Sequence, residues 1–241
     1  MRKACVAFCS TVIALTGTQA LYASSFHVAP VRVEFNDRKS NTTLQVVNED
    51  DLPVTVQIHV VAWQPNGTEE TYTDSNDILV SPPIAKIEGH ATQLIRLAQR
   101  HPERVTLERA WRVIIEEVPP PPMAGVVRTV LRFSIPIFET ASSGHFAPLL
   151  SWNAVPTSEG ALKLSAANKG NAHIQIKSLS LHVDGAAEPV VASTMLYILP
   201  QGDHEWIFRD ERLKNAKKIV LDAITDTDSG KLHEEITLQD K

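Results

Sequence analysis

Four consecutive prolines, at positions 119–122, interrupt a chain whose other patterning is almost entirely that of strands. Each proline removes a backbone donor and fixes φ, so the run excludes both helix and interior strand. An apolar, β-branched run follows over 126–138, punctuated by Arg128 and Arg132. A strand that begins at prolines and carries charge at one end suits the edge of a sheet. Such an edge leaves backbone N–H and C=O groups open to another chain.

Helical periodicity is nearly absent elsewhere. Short apolar runs or period-two alternation recur between turn signals. Runs over 28–35 and 43–47 precede the turn Asn48-Glu49-Asp50-Asp51-Leu52-Pro53. Within 54–63, Val54, Val56, Ile58 and Val60 fall on one face. Further runs cover 78–80, 91–97 and 111–118. Glu139-Thr140-Ala141-Ser142-Ser143-Gly144 has the composition of a linker. Beyond it the pattern restarts at 162–166, 174–183, 190–198, 205–208, 218–225 and 231–238. This spacing predicts an all-β chain of two sandwiches in tandem. The expected divisions are a leader, 1–23, a first domain, 24–140, ending in the proline-led strand, and a second domain, 141–241.

Met1-Arg2-Lys3 is a basic start, residues 4–17 are largely apolar, and small-residue cleavage sites end at Ala20 and Ala23. This is the pattern of a secretory signal peptide of about 20–25 residues. No second long apolar run follows, so a soluble mature protein without membrane insertion is expected. Both cysteines, Cys5 and Cys9, lie in the leader. The mature chain then has no thiol for catalysis, disulfide or metal. Loss of Arg2 and Lys3 takes the net charge from −5 to −7, a balance that argues against nucleic acid as a partner.

No catalytic constellation stands out. There is no Gly-x-Ser-x-Gly elbow, phosphate loop or nucleotide fingerprint. The nine histidines form no HExxH and no i, i+4 pair, and are expected at exposed polar positions rather than as metal ligands. Asp226-Thr227-Asp228-Ser229-Gly230 resembles the start of a calcium loop, but the twelfth position is Thr237 instead of Glu. Asp and Gly there suit a hairpin turn. The residues point to binding, with no cofactor, no metal and no enzyme activity.

Several segments together resemble the periplasmic pilus chaperones, the PapD-like partners of outer-membrane ushers. Val31-Arg32-Val33-Glu34-Phe35 is similar to that family's first strand. Asn48 through Pro53 resembles its turn between the second and third strands. Ile78-Leu79-Val80-Ser81-Pro82-Pro83-Ile84, then Glu88-Gly89 and Leu94-Ile95-Arg96, resembles its proline-pair block. Glu108-Arg109-Ala110-Trp111-Arg112 through Glu117-Val118-Pro119 resembles its penultimate strand. The second block is similar through residues 168–176 and Tyr197-Ile198-Leu199-Pro200, and Phe133-Ser134-Ile135-Pro136-Ile137 looks most like the archaic branch.

The resemblance implies two immunoglobulin-like sandwiches in an L-shaped (boomerang) arrangement. It also implies a function: binding, folding and stabilising pilus subunits by donor-strand complementation, then delivery to an outer-membrane usher. A secreted β-sandwich pilin or adhesin subunit is the alternative. The donor segment would include Met123, Val126, Val127, Arg128 and Val130. Its inserted face is either Val126 and Val130, with Met123 near the start, or the opposite parity of Met123, Val127 and Thr129, while Leu131 and Phe133 fill the chain's own core. Arg32 corresponds to a cleft arginine that anchors the subunit's C-terminal carboxylate. Where the family carries a second cleft Lys, this chain has Leu131, and Arg132 is the nearest base. The family's Arg just before the strand proline is Ile135 here. Self-association through the donor edge is a further expectation.

Overall fold

A computed structural model describes residues 22–23, 25–119, 128–141, 144–157, 159–183, 186–214 and 216–238. The expected leader therefore lies almost wholly outside the described residues, as do Met123, Val126 and Val127. The first strands are β1 (Tyr22–Ala23), β2 (Phe26–Ala29), β3 (Val33–Phe35), β4 (Asn41–Asn48), β5 (Val54–Asn66) and β6 (Glu69–Asp74). They are followed by β7 (Ile78–Ser81), β8 (Ile84–Ile87), β9 (Thr92–Gln99), β10 (Arg109–Glu117), β11 (Arg128–Thr129) and β12 (Arg132–Glu139). The second group is β13 (Leu150–Pro156), β14 (Leu162–Asn168), β15 (Ile174–Val183), β16 (Val190–Ile198), β17 (Asp203–Phe208), β18 (Lys218–Thr225) and β19 (Lys231–Thr237). Among the described residues no helix is long and apolar enough to cross a membrane.

The all-β expectation of two sandwiches holds. In the first, the sheet β3-β12-β10-β5-β6, with β8 on β5, faces the sheet β2-β4-β9-β7. Strand side chains alternate between faces. Val54, Val56, Ile58 and Val60 therefore enter one core, opposite Leu44, Ile95 and Leu97. The second sandwich packs β13-β14-β17 on β16-β15-β18-β19, around Leu164, Ile176, Leu181 and Leu221.

Two expectations about strands are corrected, and three strands were not expected. The run 28–35 is broken: β2 pairs with β4 and β3 pairs with β12, in opposite sheets. Pro30, which lacks an N–H, and exposed Val31 occupy the crossing. The run 126–138 is also broken, because Val130 and Leu131 separate β11 from β12. β11 pairs instead with β1, in parallel. Strands β6, β8 and β13 carried no clear sequence signal; β6 is almost entirely exposed, so burial imposes no alternation on it.

The two sandwiches reuse one locking device. Buried Asn48, at the end of β4, donates through its amide to the carbonyls of Leu52 (2.8 Å), Ile87 and Glu88 (both 3.2 Å). Asn168, at the end of β14, donates to those of Ala172 (2.8 Å) and Ile198 (3.0 Å). Its carbonyl oxygen accepts from the N–H groups of Leu149 (3.1 Å) and Gly170 (3.0 Å). Each amide satisfies turn backbone that would otherwise be buried without partners. Asn168→Ala should cost about 2–4 kcal/mol, seen as a lower urea midpoint. Replacing exposed Lys169 next to it should change stability by less than about 0.5 kcal/mol.

Candidate functional site: a charged cleft between the sandwiches

A cavity of about 570 Å³ opens where the two sandwiches meet. Arg32 reaches it because it directly precedes β3, whose Val33 lies beside Ile137 of β12. Its Nη1 donates to Asp226 Oδ2 at 2.7 Å. Its Nε sits 3.0 Å from Glu34 Oε1, an ion pair without hydrogen-bond alignment. The guanidinium carbon lies 5.1 Å from the Phe138 ring centre. Asp226 comes from the turn between β18 and β19, so this contact joins the two sandwiches.

A second ionic contact crosses beside it. Glu108, just before β10, accepts from His173, just before β15. Both its oxygens lie 2.8 Å from Nδ1, and Oε1 is 2.9 Å from the His173 backbone N–H. The imidazole stacks on Phe138 at 3.6 Å and 11°, and its Nε2 is 3.4 Å from Asp226 Oδ2. Burial would raise the Asp226 carboxyl, but bonds from His173, the Gln175 N–H and Arg32 outweigh it and hold the pKa at about 2. Asp226 does sit in a hairpin turn, as expected. Its side chain also serves the cleft.

An apolar wedge supports the charges. Trp63 and Phe138 from the first sandwich meet Leu199, which follows β16. Tyr197 stands edge-on to Trp63, with ring centres 5.5 Å apart. Gly202 is required there: a Cβ would come 2.9 Å from the Pro65 side chain.

The two arginines expected to share one carboxylate do not come together. Arg132 is largely exposed and pairs with Glu116 at 3.0 Å. It lies on the same face of β12 as Phe138 but six residues away, roughly 20 Å along the strand. Besides Arg32, Lys231 lines the cavity, and a further guanidinium, Arg112 on β10 across from Pro136, stands beside the apolar wedge. Its guanidinium carbon lies 3.8 Å from the Trp63 ring centre, and its Nη1 is 3.5 Å from Ser134 Oγ. Among the described residues no carboxylate forms an ion pair with it. Burial pushes the Tyr197 phenol up, while the charges of Arg32 and Arg112 pull it down, so both guanidiniums act on one ring.

Sequence reasoning missed Arg112, although an Arg between Trp111 and Val113 in an apolar strand was a usable signal. It also placed histidines on exposed positions, whereas His173 is buried; a contact 65 residues distant has no local signature. Of the donor segment, Arg128 is described in its backbone, Thr129 is exposed and Val130 is 50% exposed. Phe133 packs against the first core.

Comparison with known proteins accords with this geometry. Residues 25–140 match the family model described as the pili and flagellar-assembly chaperone, PapD N-terminal domain. The first sandwich is therefore similar throughout to the N-terminal domain of the pili and flagellar-assembly chaperones. The chaperone protein AfaB of Escherichia coli is 27% identical over 100 residues, 40% of this chain and 36% of that protein. The match thus spans little more than a third of that curated relative. Among solved structures, a chain of the CsuC–CsuE chaperone–tip adhesion subunit complex of Acinetobacter baumannii aligns with a TM-score of 0.67 at 21% identity, covering 90% of this chain and all of that one. The Salmonella enterica SafA pilin–SafB chaperone complex gives 0.62 at 20% identity, covering 90% and 98%.

Removing the Phe138 ring takes away both the His173 stack and the wedge. Phe138→Ala should lower unfolding free energy by about 3–5 kcal/mol and shift tryptophan emission to the red as Trp63 gains water.

Proposed function

We propose that this protein is a periplasmic chaperone that binds and stabilises pilus subunits by donor-strand complementation and delivers them to an outer-membrane usher, with no catalytic step. Residues 1–23 serve as its export signal, and 24–140 and 141–241 as its two domains. One observation carries the reading. The strand that lines the charged cleft with Phe138 runs out, at its other end, into the half-exposed apolar edge at Val130. A subunit strand paired along that edge gains main-chain hydrogen bonds, and alternate apolar side chains fill its open groove.

Met123, Val126, Val127, Arg128 and Val130 belong to this donor segment, with Val126 and Val130 as the groove-filling parity. The subunit's terminal carboxylate is held in the cleft by the planar guanidiniums of Arg32 and Arg112, which suit bidentate recognition. Glu116 neutralises Arg132 far up the strand, so the second anchor is assigned to Arg112. The pilin reading is disfavoured by β12, which stands between β3 and β10 where a pilin would leave a gap.

Periplasmic coexpression with a pilus subunit from the same host tests this. Arg32→Glu and Arg112→Glu should abolish co-purification while each variant keeps a folded β spectrum. Arg132→Ala should retain most of it. Val130→Asp should weaken the complex roughly 10–100-fold, the loss of one buried apolar side chain. Undiminished complex with both Arg32→Glu and Arg112→Glu would contradict the cleft assignment.

A further inference from the structure

The ionic contacts between the sandwiches form one continuous chain: Glu108, His173, Asp226, Arg32. It crosses from first sandwich to second at Glu108–His173 and back at Asp226–Arg32. Both nitrogens of the His173 ring face carboxylates, Nδ1 towards Glu108 at 2.8 Å and Nε2 towards Asp226 at 3.4 Å. Only the imidazolium carries an N–H at both positions. A neutral ring would turn a lone pair towards one of the two acids. The ring is also pinned flat against Phe138, so it cannot swing away to relieve that repulsion without parting from β12.

We propose that His173 is a proton-operated positioning residue: as the imidazolium it ties the two sandwiches together and fixes Asp226 against Arg32, and on losing its proton to solvent it lets the sandwiches move apart. Deprotonation turns a ring lone pair towards one of the two carboxylates, which keeps only its other donors: the His173 backbone N–H for Glu108, or Arg32 and the Gln175 N–H for Asp226. Hydration through a wider cleft relieves that repulsion and replaces the lost charge-assisted hydrogen bond. The opening also removes the partner that holds Arg32 in place. This inference rests on the interface geometry and stands whether or not pilus subunits are the ligand.

The groups around the ring act in both directions, and the two acids prevail. Glu108 ahead of β10 and Asp226 in the β18–β19 turn both favour the charged form. Arg32 ahead of β3 opposes it, and Tyr197 of β16 lies 5.5 Å away, ring centre to ring centre. The cavity adds Glu34, His145, Asp228 and Lys231. Burial would push His173 down, but its bonds to Asp226 and Glu108 reverse this and raise it above the usual 6.5. A raised folded value means that the stabilisation is complete below the unfolded value and is lost as pH rises through the folded one. Asp226, held low, contributes down to acid pH. The latch is therefore closed below the ordinary histidine value of 6.5 and opens as pH rises through the raised folded value.

The test uses the full mature chain, ¹⁵N-labelled at histidine, between about pH 5.5 and pH 9. Long-range ¹H–¹⁵N spectra should show both His173 nitrogens protonated at the acid end, with a titration midpoint above that of a free histidine. Residual dipolar couplings should report a change in the relative orientation of the sandwiches at the same midpoint, with each sandwich internally unchanged. His173→Gln should show the alkaline orientation at every pH. Should that variant fail to fold, the wild-type titration alone decides. A ring that titrates while the orientation stays constant, or a ring already neutral near pH 6, would overturn the proposal.

Discussion

Strand β12 meets three demands at once, and the rest of the structure depends on its register. Its Ile135 and Ile137 enter the first core, while Pro136 and Phe138 face the other way, where Phe138 lines the cleft. Glu139 ends the strand fully buried and paired with Arg109 at 2.7 Å. A slip of one residue would exchange these faces, exposing isoleucines and burying arginine. Parallel pairing with β3 and antiparallel pairing with β10 fix the register from both sides. The same pairing carries Arg32 to the ring of Phe138.

The cleft follows from the cost of buried charge. Ions removed from water destabilise unless they are closely paired. Arg32 and His173 each lie between two acids, and the acids are in turn supplied with N–H donors. Aromatic faces fill the remaining contact: Phe138 under His173 and Trp63 under Arg112. Stacking on Trp63 holds Arg112 in place, and among the described residues no carboxylate pairs with it. Arg32 is at once a wall of the cleft and the first sandwich's partner for Asp226 of the second, so one side chain serves both the cleft and the contact between the sandwiches.

Much of this was legible in the residues. Alternation at 54–60 gave β5 its inward face, and the turns after Asn48 and Asn168 fall where the amides lock them. Arg32 was found through its setting in Val31-Arg32-Val33-Glu34-Phe35. What stayed hidden depends on distant pairing. Ile135 signalled that a basic residue was absent from β12, but nothing local to His173 announced that it lies beside Glu108. Arg132 was chosen as the base nearest in sequence to Leu131, the position where a second cleft base was expected. Strand geometry places it about 20 Å from Phe138, whereas Arg112 arrives from the neighbouring strand. Strands β6 and β8 lie at or near sheet borders, where exposure erases the alternation that marks interior strands.

The central claim is that a subunit occupies the edge leading into β12. Amide hydrogen exchange on the chain, free and bound to a pilus subunit, tests it directly. The account predicts marked slowing at the N–H groups of residues 128–131 in the complex, with β10 and the rest of β12 already protected in the free chain. Unchanged exchange at 128–131, with new protection confined to other surfaces, would contradict it.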